Sequence, residues 1–145
     1  MRTPRSCRRR LIAFAPLLAV VCGGCGSAQH ATSKGESVAV SEKDFHISAP
    51  TTLRAGEVTF TVHNHGPERH EFIVARAGAS GLPLRSDALT IDEDSIHKQE
   101  VGELEPGEPG SVRTLHLTLS PGRYVFFCNM AGHFLGGMHH EVVVQ

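Results

Sequence analysis

Two stretches of this chain alternate apolar and polar residues at every second position, and no stretch repeats them at helical spacing. In Glu57–His63, Val58, Phe60 and Val62 point one way and Thr59, Thr61 and His63 the other. In Ser111–Ser120, Leu115, Leu117 and Leu119 alternate with His116 and Thr118. A period of two belongs to a strand with one buried face. Further short runs predict strands at Val38–Val40, Phe45–Ile47, His70–Ala75, Arg123–Cys128 and Glu141–Gln145, punctuated by turns at 64–69 (NHGPER) and Pro121-Gly122. Short strands separated by Gly and Pro turns predict an all-β, two-sheet sandwich. About 110 residues are available for it, enough for one core.

The remainder of the 145 residues reads as a leader and a tether. Arg2, Arg5, Arg8, Arg9 and Arg10 precede the apolar run Leu11–Val21, and small residues follow at Gly23, Gly24, Gly26 and Ser27. This is the pattern of an export signal over 1–25, its apolar run too short for a stable transmembrane helix. Gly24-Cys25 resembles the end of a bacterial lipobox, with Cys22 where Leu is usual, so membrane attachment through a lipidated Cys25 is one expectation. Arg8-Arg9-Arg10-Leu11-Ile12 fits the loose twin-arginine pattern, and equally an Arg-rich general secretory signal. Residues 26–36 (GSAQHATSKGE) read as a flexible tether, and the domain is expected over 37–145.

No acid precedes Glu36; taking the five leader arginines from the 14 Lys+Arg leaves nine bases against 15 Asp+Glu. A domain at −6 is a poor partner for nucleic acid. Much of the acidity lies in residues 76–110, at Asp87, Asp92, Glu93, Asp94, Glu100, Glu103, Glu105 and Glu108. This segment reads as a solvated excursion with a short strand near Ala88–Ile91, or as an acidic patch that steers a basic partner.

Cysteine placement narrows the function. Cys7, Cys22 and Cys25 fall in the leader, leaving Cys128 alone in the domain and no internal disulfide. Cys128 opens the loop Cys128-Asn-Met-Ala-Gly-His133-Phe-Leu-Gly-Gly-Met138, which puts a thiol, an imidazole and a thioether between two strands. Four residues between Cys and His can curl round one ion, and four more bring Met back to an axial position. Gly132, Gly136 and Gly137 allow the tight backbone. Soft sulfur with imidazole suits a copper ion cycling between Cu(I) and Cu(II). A fourth donor must come from elsewhere. His70, which follows the Gly66-Pro67 turn and begins a strand, is the best candidate, with His63 and His65 close by. His70, Cys128, His133 and Met138 then match the His₂Cys plane and long axial Met of a blue-copper site.

The segments Asn64-His-Gly-Pro-Glu-Arg-His70-Glu-Phe72 and Tyr124-Val-Phe-Phe-Cys128 through Met138 resemble the cupredoxins, the plastocyanin/azurin superfamily. The spacing is similar to that of rusticyanin and auracyanin, and the likeness covers roughly residues 38–145. It implies a Greek-key β-sandwich, a single type 1 copper held by His70, Cys128, His133 and Met138, and one-electron transfer to redox partner proteins. It also implies that the edge of His133, flanked by Met130, Phe134 and Leu135, is the electron port. The expected protein is a monomer in the periplasm or on the outer face of the cell membrane, and not an enzyme, because four ligands leave no open position. The alternative is an extracytoplasmic copper protein for storage, delivery or resistance, modestly favoured by His63, His65, His139 and His140, which otherwise read as surface residues. One departure stands out: Glu71 follows the first His, where plastocyanin-type members often carry Asn.

Overall fold

The computed structural model describes residues 35–79 and 81–145; the expected signal, 1–25, and residues 26–34 of the tether lie outside the described residues. Among the described residues no helix is long and apolar enough to cross a membrane. The described residues form nine strands: β1 Glu36–Lys43, β2 His46–Ser48, β3 Thr52–Leu53, β4 Gly56–Asn64, β5 His70–Arg76, β6 Glu100–Gly107, β7 Val112–Leu119, β8 Gly122–Phe127 and β9 His139–Val144. They form a four-stranded sheet, β2-β1-β4-β7, and a five-stranded sheet, β3-β9-β8-β5-β6. The β1–β4 and β3–β9 pairs are parallel and the others antiparallel.

The alternating stretches behave as their pattern requires. In β4, Val58, Phe60 and Val62 are buried between the sheets, while Thr59, Thr61 and His63 lie on the outer face and are half-buried. Phe60, Phe72 and Phe126 meet at the centre with ring centroids 5.3 to 5.8 Å apart. Each such aromatic pair adds about 0.5–1.5 kcal/mol beyond the area it buries.

The run Phe72-Ile73-Val74-Ala75 and the run Tyr124–Phe127 do not alternate, because β5 and β8 are buried on both faces. Their second faces, Ile73, Ala75, Val125 and Phe127, pack beneath Ile91 and Ile96 from the 77–99 segment. The acidic excursion is therefore a cover as well as a solvated surface. Asp87 and Asp94 face out while two isoleucines seal the sheet.

The expected strand in this segment is misplaced. In place of a strand near Ala88–Ile91 there is one isolated bridge, Leu84 to Ile91, followed by the short helix α1, Glu93–Ile96. The true strand is β6, eight residues long, at the edge of the larger sheet. Its sequence, EVGELEPG, is rich in residues that disfavour strands, so it gives no β signal of its own. Pairing with β5 holds it there, and Pro106 sits where an edge strand tolerates it. Its carbonyls at Glu105 and Pro106 accept hydrogen bonds from Arg113 and Arg69.

Candidate metal centre

The site lies at one end of the sandwich, where β5 begins and β8 ends. The loop 64–69 is pinned by buried Asn64, whose Nδ2 donates to the carbonyls of Glu68 at 2.7 Å and Gly107 at 3.0 Å. Its Oδ1 accepts from Gly66 N at 2.9 Å. These bonds deliver His70 to the first position of β5 with its side chain fully buried. Cys128 follows directly on β8 and is also fully buried. The loop after it is wound by its own backbone, with His133 N bonded to Met130 O at 2.9 Å and Gly136 N to Gly132 O at 2.9 Å. Met138 closes it: Cys128 N donates to Met138 O at 3.1 Å, and Met138 N donates to His133 O at 2.9 Å.

Three of the four expected donors come together. Single donor atoms of His70, Cys128 and His133 all lie within 4.8 Å of one another, and all three residues are buried. Cys128 Sγ stands 3.5 Å from His133 Nδ1. Met138, at the end of the same loop, is fully buried. His63 and His65 stack on each other, ring centroids 5.7 Å apart, and belong to no such cluster. His139 is exposed, but His140 turns inward beside Phe126, with Nε2 buried and unpartnered. The surface reading fails for that residue because it shares the inward face of β9 with Val142 and Val144.

The imidazoles fit a metal. His70 Nε2 is 3.1 Å from Asp44 Oδ1, and a carboxylate can only accept, so Nε2 carries the hydrogen and Nδ1 is bare. That Nδ1 is buried with no hydrogen-bond partner, a costly arrangement unless a cation takes the lone pair. Burial lowers the basicity of His70, which keeps the ring neutral, as a ligand must be. His133 Nε2 is likewise 3.2 Å from Glu68 Oε2, leaving its Nδ1 for the sulfur side. Burial pushes the Cys128 thiol up to about 11, against the pull of the Met130 and Glu71 backbone amides. Without metal the sulfur is a neutral thiol, and a cation must displace its proton.

Glu71 joins the His70 and Cys128 segments. Its backbone N–H lies 3.4 Å from Cys128 Sγ, and its carboxylate accepts from Asn129 N at 3.2 Å, so it ties the two together. Burial, then the nearby Glu93, raises its carboxyl to about 7. Asn129 in turn bonds Ile91 through both backbone groups and reaches Glu93, joining the cover segment to the site.

Sequence reasoning passed over Asp44, read Phe45 only as the start of a strand, which in the structure begins at His46, and read Glu68 only as part of a turn. Asp44 and Phe45 form the tip between β1 and β2, where Lys43 pairs with His46. Phe45 is half exposed and packs edge-on against His133, centroids 5.5 Å apart. Its ring lies over Gly136, where any Cβ would collide with it. Gly136→Ala should therefore swing the Phe45 ring off His133 at little cost in stability, seen as loss of the nuclear Overhauser contact between the two rings.

No family model matches the sequence, and no curated protein does. Solved structures do match. Auracyanin A, a "blue" copper protein from Chloroflexus aurantiacus, is similar at 18% identity over 77% of this chain and 100% of its own, with a TM-score of 0.58. Rusticyanin from Thiobacillus ferrooxidans is 17% identical over 77% of this chain and 79% of its own, TM-score 0.56. An azurin from Methylomonas sp. strain J is 15% identical over 77% and 99%, TM-score 0.53. The fold is that of the cupredoxins. In this cupredoxin sandwich the buried His-Cys-His cluster occupies the end where β5 starts and the β8–β9 loop turns.

Proposed function

We propose that the protein is an exported type 1 copper protein that carries single electrons, with His70, Cys128 and His133 as the strong ligands and Met138 as the axial one. The observation that carries the reading is the buried triad of one thiol and two imidazoles, with His70 Nδ1 bare and without a protein partner. Copper held there would exchange one electron between Cu(I) and Cu(II). The chain's part is to hold the donors still. The loop 64–69 is fastened by Asn64, the 128–138 loop by its own backbone bonds, and Glu71 spans the two. Little has to rearrange when charge changes. His133, at 7% exposure, is the donor that reaches the surface, beside exposed Phe45 and Leu135, and it is the proposed point of electron exit to a redox partner. Export through the signal over 1–25, with Cys25 as an anchor to the outer face of the membrane, completes the proposal.

The test is the copper-loaded protein itself. One equivalent of Cu(II) should give an intense visible absorption from sulfur-to-copper charge transfer and a narrow copper hyperfine pattern in the paramagnetic resonance spectrum. Cys128→Ser should abolish both. A colourless protein, or a spectrum that survives Cys128→Ser, would remove the reading.

A further inference from the structure

We propose that Asp44 and Glu68 are positioning residues for the metal centre. Each takes the outward Nε2–H of one imidazole, holding both rings in the tautomer that turns Nδ1 inward, and each places negative charge that favours the oxidised ion. The role rests on the copper reading above, although its tautomer half is a property of the metal-free chain.

The geometry of the first pair is built rather than incidental. Asp44 Oδ1 meets His70 Nε2 at 3.1 Å, with the imidazole fully buried and the carboxylate 29% exposed. Gly66 lies against both atoms: a Cβ there would stand 2.6 Å from Asp44 Oδ1 and 2.6 Å from His70 Nε2. Only glycine lets the loop pass over this bond. The hairpin tip is shaped to reach it, because Phe45 adopts a left-handed backbone at φ 59, an uncommon conformation for a residue with a bulky side chain. In the second pair, Glu68 Oε2 meets His133 Nε2 at 3.2 Å. The Glu68 backbone is itself fixed, since its carbonyl accepts from Asn64 Nδ2 at 2.7 Å.

A carboxylate behind a metal-bound imidazole fixes the tautomer, sets the ring plane and raises the basicity of the ligating nitrogen. Both ligand imidazoles have one here, on two different loops. Oxidation adds one positive charge to the centre, and negative charge across each ring stabilises the ion after oxidation more than before. The two pairs are not equal. Asp44 is mostly covered and backs a fully buried ring, whereas the Glu68 side chain is 59% exposed and screened by water. Asp44 has the larger effect.

The experiment has two readouts. In the metal-free, nitrogen-15-labelled protein, long-range proton–nitrogen correlation reports which ring nitrogen carries hydrogen. His70 and His133 should both be protonated at Nε2. Asp44→Ala should release His70 to a mixture of tautomers, and Asp44→Asn should keep the Nε2–H form because the amide oxygen still accepts. In the copper-loaded protein, Asp44→Asn should shift the preference for Cu(II) over Cu(I) by about tenfold, a rise in potential of about 59 mV for one electron. Glu68→Gln, at an exposed position that leaves the fold intact, should shift it in the same direction by less. An Nδ1–H tautomer at His70 in the unaltered protein would overturn the orienting role. An unchanged potential in both Asp44→Asn and Glu68→Gln would overturn the electrostatic one. A protein that shows the expected tautomers yet takes up no copper would sink the copper reading while upholding the orienting role.

Discussion

His133→Gly copper protein should lose its colour and recover it when imidazole is added, whereas His70→Gly should lose it and not recover. Either deletion removes one of the two imidazoles of the proposed ligand set. Loss of an outer partner of a ligand already costs about 10–100-fold in metal affinity, so loss of the ligand itself costs at least that. What separates the two variants is access. His133 sits on the 128–138 loop with its outer nitrogen against exposed Glu68 and its ring under half-exposed Phe45, both of which can move aside. Deleting the ring opens a channel of imidazole shape from solvent to Cys128. His70 is fully buried at the head of β5, closed in by Gly66 and the β1–β2 tip, and its deletion leaves an enclosed cavity. Absorption titration with imidazole distinguishes them. Rescue of His70→Gly but not His133→Gly would reverse the assignment of the surface ligand.

What the sequence made legible follows from how far apart the cooperating residues are. Cys128 and His133 share one loop, so their spacing alone points to a common ion. β4 and β7 are each half-buried, so their alternation is visible. β6 was not, because its place depends on β5 and its own residues argue against a strand. Ile91 and Ile96 look incidental within an acidic stretch, and only the doubly buried β5 and β8 show what they cover. The residues behind the imidazoles were hidden for the same reason. Nothing local in Lys43-Asp44-Phe45-His46 says that this turn folds over a loop near the other end of the chain. Glu71, by contrast, was conspicuous by departing from the resemblance, and its carboxylate does bridge the two loops.

The same limit hid a charge pair inside the sandwich, and removing half of it has the largest expected effect on stability. Charged residues in strands are read as outward-facing, yet Glu42 of β1 is fully buried and bonded to Arg113 of β7 at 2.5 Å, with the Arg113 side chain 15% exposed. Arg113 also donates to Glu105 O and lies over Gly107, the partner of His70 in the β5–β6 ladder. Burial raises the Glu42 carboxyl to about 7, against the pull of Arg113. Between about 4.5 and 7 the folded chain therefore holds a proton that the unfolded chain has lost, and stability falls as pH rises through that window. Arg113→Ala removes the partner that pulls this carboxyl down and leaves Glu42 buried alone, forced above the window either to hold a proton against the solvent or to carry an unpaired charge, at a cost of about 3–5 kcal/mol. For a domain of this size that is a fall of about 10–20 °C in Tm. At pH 5 Glu42 is neutral in the folded state, so the same substitution should cost distinctly less. Denaturant unfolding at pH 5 and pH 8 measures the difference. An equal penalty at both would mean that Arg113 acts through packing alone. The apolar double variant Glu42→Leu, Arg113→Met removes both charges together and should recover most of the loss, because neither partner is then left buried without the other.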